Sequence, residues 1–410
     1  MPVRVPNPSH VQLFCEVARR QGVSAAARAV HRSQPAVTQA IHAVEKALGA
    51  QLFRRSSGGV SLTPAGALAL VRCERMLERL AEGVAGLRRG SLPERIRLTG
   101  AISTAQLLAL CAVVQAGGFS PAARALGQAR ATVHRAARSL EQALQLPLFE
   151  QTSFGIGTTR VAVELARCAA LALHEFAQAA VEVAALGGGD RGRTVIGAMA
   201  LARSELVPQA ILAFLASHPA HSVSILDGPY DTMLGDLRGG RADLLVGALR
   251  EPLPGDDLVQ EHLFDDPLAL ALRAGHPLAR SRGATPRELA RFPWVIARPG
   301  APLRRQFDAL FAAGAGPDTT VECNSMVAAR ALLLGSDCLM LSSANQLHHE
   351  LQGGELRLLP LPLARRSRSI GLTMRRDWHP TTAQRQLLES LRAQASVIGR
   401  RSAPRPTQRG

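Results

Sequence analysis

The sequence predicts an α/β protein in two parts, a helical amino-terminal half written twice and a carboxy-terminal half of alternating strands and helices. The first observation is a repeat: "SAAARAVHRSQPAVTQAIHAVEKALGAQLF" at 24–53 returns as "SPAARALGQARATVHRAARSLEQALQLPLF" at 120–149, 96 residues later. The second is a change of rhythm from Arg193 onward, where short β-branched runs alternate with helical ones, as in parallel sheets covered by helices. The third is composition. Apolar residues make up 47% of the chain but aromatics only 3%, so the interiors are built from Ala, Leu and Val. At 410 residues the chain exceeds one core, and its formal charge of +16 points to a polyanion as partner. Six scattered cysteines without a CxxC pair argue against a zinc ribbon or a disulfide framework, and buried packing is the expected role for each. The opening "MPVRVPNPSHVQLF" has no apolar h-region and no run of about 18 apolar residues occurs, so a soluble cytoplasmic protein with no membrane partner is expected.

In the first copy, Ser24 is expected to cap a short helix through Val30, with His31-Arg32 as a tight turn. Ser33 then caps a second helix from Gln34 to Leu48, with Pro35 in its first turn and Gly49 at its left-handed end. Val37, Ile41, Val44 and Leu48 form one apolar stripe, which leaves Gln34, Pro35, Thr38, Gln39 and His42 on the outer face, followed by Arg54 and Arg55. A helix of this kind fits the major groove of duplex DNA, where Gln pairs with adenine and Thr touches a thymine methyl. The bland alternative is a surface helix of a bundle.

The string "AAARAVHRSQPAVTQAIHAVEKALGAQLFRR…LTPAG" resembles the winged helix-turn-helix of LysR-type transcriptional regulators over Val11 to Gly66. The resemblance implies DNA-facing roles for Ser33, Gln34, Pro35, Thr38 and Gln39 and wing roles for Arg54 and Arg55. It also implies a long linker helix from Pro64 to about Arg89, whose Leu68, Val71 and Leu77 to Leu80 pair two subunits.

The second copy keeps the skeleton and loses the reading surface. Val133, Ala137, Leu140 and Leu144 restore the inner stripe, and Leu107, Leu110 and Val113 restore the first helix. Ser33-Gln34-Pro35-Ala36 becomes Ala129-Arg130-Ala131-Thr132, and Arg54-Arg55 becomes Glu150-Gln151. Over 1–100, 15 Lys and Arg stand against 6 Asp and Glu, whereas over 101–190 the balance is 6 against 6. A mainly structural or dimer-forming second copy is therefore favoured over a second reader, although Arg130, Arg135 and Arg138, beside His134, leave a second DNA contact open. A second long helix from Arg160 to Leu186, with Val163, Ala166, Ala170 and Leu173 on one side, is expected to pair subunits, and Gly187-Gly188-Gly189-Asp190 reads as a linker.

In the carboxy-terminal half, strands are expected at 194–197, 223–226, 243–246, 294–296, 320–322, 338–341 and 369–374. Helices are expected at 204–216 and 231–237, and from about Leu303, Ser325 and Thr382. The strings "LRGGRADLLVGAL", "LFDDPLALALRAGHPLA" and "GLTMRRDWHP" resemble the co-inducer domain of the same family, most of all the branch of galactose-binding-protein regulators. That domain implies two lobes, as in periplasmic binding proteins. Ligands of open parallel sheets sit beyond the strand ends. This selects Met199, Ala200 and Ser204 in the first lobe and Arg298, Asn324 and Ser325 in the second, with Ser204 and Ser325 also readable as plain N-caps.

Asp256-Asp257 and Asp265-Asp266 are adjacent pairs, which on a strand point to opposite faces, and no Gly-x-Ser-x-Gly, phosphate loop or HExxH occurs. No catalytic residue, metal or cofactor is expected. The domains expected are a winged helix-turn-helix at 7–63, a linker helix at 64–90, a diverged copy at 101–159, a second linker helix at 160–186 and an effector domain at 191–396, then a basic tail without fixed structure at 397–410. Function follows as a DNA-binding LysR-type regulator controlled by a small effector, a sugar, sugar acid or aromatic acid, acting as a homodimer or homotetramer. The alternative is a cytoplasmic metabolite-binding protein or fused enzyme whose helix-turn-helix copies serve assembly.

Overall fold

Asn7 precedes helix α1 (Pro8–Arg20), whose Val11, Phe14, Cys15 and Val17 turn inward, and the chain then enters α2 (Val23–Ala29) and α3 (Gln34–Leu48). The computed structural model describes residues 4–56, 59–85, 92–153, 155–189, 191–312, 314, 316–361 and 367–402. A hairpin of β1 (Phe53–Ser56) and β2 (Gly59–Leu62) forms the wing, with Arg54 paired to Ser61 and Arg55 to Val60. The long helix α4 (Pro64–Ala85) and a short α5 (Leu92–Thr99), which the sequence did not announce, close the first copy. The expected extension of α4 to Arg89 lies outside the described residues, as does Asp190 of the expected linker.

The second copy repeats the order as α6 (Thr104–Ala116), α7 (Phe119–Leu126), α8 (Arg130–Leu144), β3 (Phe149–Thr152), β4 (Gly155–Thr158) and α9 (Arg160–Ala185). One expectation is corrected here. Ser24 is not a cap, because α2 begins one residue earlier after Gly22, and the Ser24 hydroxyl instead accepts from the Gln34 amide across the turn. In α9, Val163 is exposed, and the buried positions are Leu165, Ala169, Ala172, Phe176, Ala179 and Val183. By composition α9 is long and apolar enough to cross a membrane, but these faces are packed inside the protein.

Residues 1–192 form one unit with Arg238–Gly240, and the rest of the chain another. One core runs through both helix-turn-helix copies, joining Phe14, Leu52, Met76 and Leu80 to Leu107, Leu140, Leu165 and Phe176. It is closed by α4 lying against α9, so the linker helices pair with each other within the chain, while Val71 of α4 and Val163 of α9 stay exposed. A Cβ on Gly83 would come within 2.8 Å of the Cys168 Cβ, so glycine permits the close approach. At the other end of this helix pair, Arg72 is 2% exposed and donates to Glu175 at 2.8 Å and to Glu182 at 2.9 Å, while Arg75 reaches Glu175 at 2.9 Å.

The carboxy-terminal unit opens with β5 (Arg193–Ala198), α10 (Ala200–Ser204), α11 (Leu206–Ser217), β6 (Ser222–Leu226), α12 (Tyr230–Arg238) and β7 (Leu244–Ala248). The single helix expected over 204–216 is thus two, broken at Glu205. Then follow β8 (Leu258–Arg273), α13 (Pro286–Leu289), β9 (Trp294–Ile296), α14 (Pro302–Leu310), β10 (Thr320–Glu322), α15 (Met326–Gly335), β11 (Leu339–Ser343), α16 (His348–Gln352), β12 (Leu356–Pro360), β13 (Ser367–Arg375) and α17 (Thr382–Ser402). β5, β6 and β7 are parallel in one lobe, as are β9, β10 and β11 in the other. The 16-residue β8, missed in the sequence, runs antiparallel to β11, β12 and β13, and makes the sheet mixed where an all-parallel one was expected. Its charged and small residues hide the strand pattern. On it Asp265 is 58% exposed and Asp266 fully buried, as adjacent strand positions require. α17 continues past the expected boundary at 396, since Val397–Ser402 are helical and Ile398 is buried; the rest of the expected tail lies outside the described residues.

Burial alone raises the pKa of Glu175, but hydrogen bonds from Arg75 and Arg72 outweigh it and hold the carboxyl below its ordinary value. Such a group contributes stability that is present above the unfolded pKa and lost as pH falls through the folded one. Replacing Arg72 by Ala is expected to destabilise the full chain by about 3–5 kcal/mol at neutral pH, by leaving Glu182 without its guanidinium and Glu175 with Arg75 alone. Denaturant unfolding should show the gap to wild type narrowing below about pH 4.

Candidate functional site

The outer face of α3 is set by its ends. Ser33 accepts from the Ala36 amide at 3.4 Å, Pro35 lies in the first turn, and Gly49 takes the left-handed conformation with φ 69°. Val37, Ala40, Ile41, Val44 and Leu48 are buried, so Ser33, Gln34, Pro35, Thr38, Gln39 and His42 all stand exposed. Arg54 and Arg55 are exposed on the wing, and the Arg54 Nε donates to Ser61 Oγ at 3.1 Å. On α8, Val133, Ala137 and Leu140 are buried, Arg130, His134 and Arg135 are exposed, and Arg138 is partly covered, donating to Glu141 at 2.6 Å with its guanidinium over the Phe149 ring. Ala129 supplies no side-chain cap to α8.

In the other unit, a cavity of about 510 Å³ opens between the strand ends of the two lobes. Met199, Ala200, Arg298, Asn324 and Ser325 line it, as expected. Met199 follows β5 and donates its amide to Val246 at 2.9 Å, and Ser325 caps α15 by accepting from Ala328 at 3.3 Å. Asn324 Oδ1 accepts from the Arg298 amide at 3.5 Å, which ties two of the loops together. Ser204 is the exception. It ends α10 instead of capping the next helix, and it is not among the lining residues.

Arg203, between the expected Ala200 and Ser204, also lines the cavity, and Tyr230, Arg250 and Arg368 line it and were missed. Arg250 stands two residues past the end of β7, the same rule that selected Arg298, so it was within reach of the sequence. Arg368, the second residue of β13, was not, because its place depends on pairing with β8. The Arg250 guanidinium lies 4.3 Å from the Tyr230 ring, and burial, with Arg305 nearby, pulls it below the ordinary arginine value. Arg368 meets the buried Asp266 at 2.6 Å. Among the described residues, the Nε atoms of Arg250 and Arg368 are buried without a hydrogen-bond partner. Apolar walls come from Val295, Ile296, Leu303, Phe307 and Met340.

The model for bacterial regulatory helix-turn-helix proteins of the lysR family matches residues 8–67 and again 104–162, and that for the LysR substrate binding domain matches 187–396. The chain belongs to the LysR family of transcriptional regulators. The HTH-type transcriptional regulator GalR of Pseudomonas putida is 34% identical over 375 residues, 91% of this chain and 93% of the relative. GbpR of Rhizobium radiobacter is 27% identical over 235 residues, 56% of this chain and 78% of the relative. Full-length OxyR from Pseudomonas aeruginosa, 19% identical, covers 72% of this chain and 94% of its own with a TM-score of 0.54, which shows the fold. This LysR-family regulator is thus a DNA-binding transcriptional regulator with an effector-binding domain and two helix-turn-helix copies.

The capping difference between the regulator's copies is directly measurable. Ser33→Ala is expected to lower, and Ala129→Ser to raise, the stability of the full chain, each by about 1 kcal/mol in thermal unfolding.

Proposed function

We propose that α3 of the first copy reads the operator through Gln34, Thr38 and Gln39, with Ser33, Pro35 and His42 shaping the contact and Arg54 and Arg55 gripping phosphates. The observation that carries this reading is the full exposure of one polar face, beside a basic wing, on a helix whose opposite face is buried. Gln34 is held against Ser24, which orders its amide before DNA arrives. The expected result of Gln34→Ala or Thr38→Ala is a loss of about 1–3 kcal/mol of discrimination per base contact. Arg54→Ala or Arg55→Ala weakens every sequence and flattens the salt dependence. Footprinting on a duplex that the full chain enriches from a random pool checks both, and unchanged protection after Gln34→Ala overturns the assignment.

The effector in this reading is a small carboxylate with an apolar or aromatic body. Arg250, stacked over Tyr230, supplies positive charge, while Arg203, Arg298 and Arg368 are paired with Asp227, Glu322 and Asp266, and a guanidinium pairs carboxylate by paired hydrogen bonds. Met199, Ala200, Asn324 and Ser325 complete the wall. Cytoplasmic action as an oligomer, without catalysis, accords with this role. DNA and effector must change each other's affinity by the same factor. Calorimetric screening over aromatic acids, sugar acids and sugars is expected to select the aromatic acids. Arg250→Gln should then weaken binding at least ten-fold, about 1.5–3 kcal/mol for a charged hydrogen bond. Selection of neutral sugars, or an affinity indifferent to operator, refutes this account.

A further inference from the structure

The packing of α4 on α9 maps onto itself when the two copies are exchanged. The repeat spacing of 96 makes Cys168 the counterpart of Arg72, and Ala179 that of Gly83. Gly83 packs on Cys168, and Arg72 meets Glu175 and Glu182, which flank Ala179. Near the same local axis the two copies touch at equivalent helix starts: Thr104 donates its amide to Asn7 Oδ1 at 3.0 Å and its hydroxyl to the Pro6 carbonyl at 2.8 Å. This is the geometry of an isologous dimer interface, written within one chain. The charges favour this pairing over α4 against α4. The first-copy counterparts of Glu175 and Glu182 are Arg79 and Gly86, so a second α4 would set Arg79 against Arg72 and Arg75.

A relation of this kind presents α8 as the counterpart of α3. At the positions of Gln34, Thr38, Gln39 and His42, the second copy carries Arg130, His134, Arg135 and Arg138. These line a shallow concave surface along α8 with Ser139 and Gln142. The even charge balance of the second copy conceals this segregation. Glu175 and Glu182 are used on α4, Glu164 pairs with Arg167, and Glu141 accepts from the amides of Leu148 and Phe149 while pairing with Arg138. Glu150 stands where the first copy has Arg54 on its wing.

We propose that the α8 face binds duplex DNA beside the half-site of α3, so that one chain spans an operator with two unlike halves, one read by polar side chains and one held by arginines. This rests on α3 as the reader of the first half. The test uses the full chain, hydroxyl-radical footprinting and salt titration on the duplex enriched by wild type from a random pool. Two variants are compared, Arg130→Ala/Arg135→Ala/Arg138→Ala and Arg130→Ala/Arg135→Ala, the second of which leaves the Arg138–Glu141 pair intact, with circular dichroism confirming that both fold. The expected result is loss of protection on one flank of the α3 half-site and a log–log salt slope shallower by about 0.9 for each phosphate that a variant chain no longer neutralises. Unchanged footprint and slope in both variants overturns the proposal. If Gln34→Ala still alters the half-site in that case, the α3 reading stands; if it does not, both fall.

Discussion

The buried guanidinium of Arg72 constrains how α4 and α9 pack in the amino-terminal half. A charge held that far from water is tolerated only where carboxylates meet it with good hydrogen bonds. Glu175 and Glu182, one helical face of α9, are the groups that do so. Along the same helix pair Gly83 rests on Cys168, and the cores of the two copies are one. The same burial keeps the thiols nearby protonated: desolvation pushes Cys168 and Cys111 up to about 12, which leaves them as packing groups.

Duplication has separated what a helix-turn-helix does for its fold from what it does for DNA. The inner residues recur because both copies fill the same core, and the left-handed turn positions recur although their residues trade places. Gly49 corresponds to Gln145 and His31 to Gly127, all with positive φ. The exposed face of the recognition helix diverged freely, since nothing inside the protein constrains it. The polar face of α3 and the arginines of α8 are two chemistries on one scaffold.

The effector unit depends on a different constraint. Its parallel strands end at loops, but β8 and β13 pass between the lobes and bring Arg368 to the cavity wall, where Asp266 holds it. A ligand that bridges the strand ends of both lobes acts on whatever arrangement those two long strands allow.

Much of this was legible in the chain itself. Short-range rules sufficed for α3 with its Ser33 cap and Gly49 end, for the repeat, and for most strands and helices of the carboxy-terminal half, because caps, periodicity and turn residues act over a few positions. They failed where distant partners decide. Ser24 looked like a cap until Gln34 engaged it, Ser204 lost its role when the helix broke at Glu205, and β8 was hidden because its sequence reads as a strand only beside β11, β12 and β13. The local elements and the polar face of α3 are thus determined by the sequence, through interactions between near neighbours. The pairing of α4 with α9 and the place of Arg368 on the cavity wall were decided by tertiary structure alone, since burial and charge partnership exist only once remote segments have met.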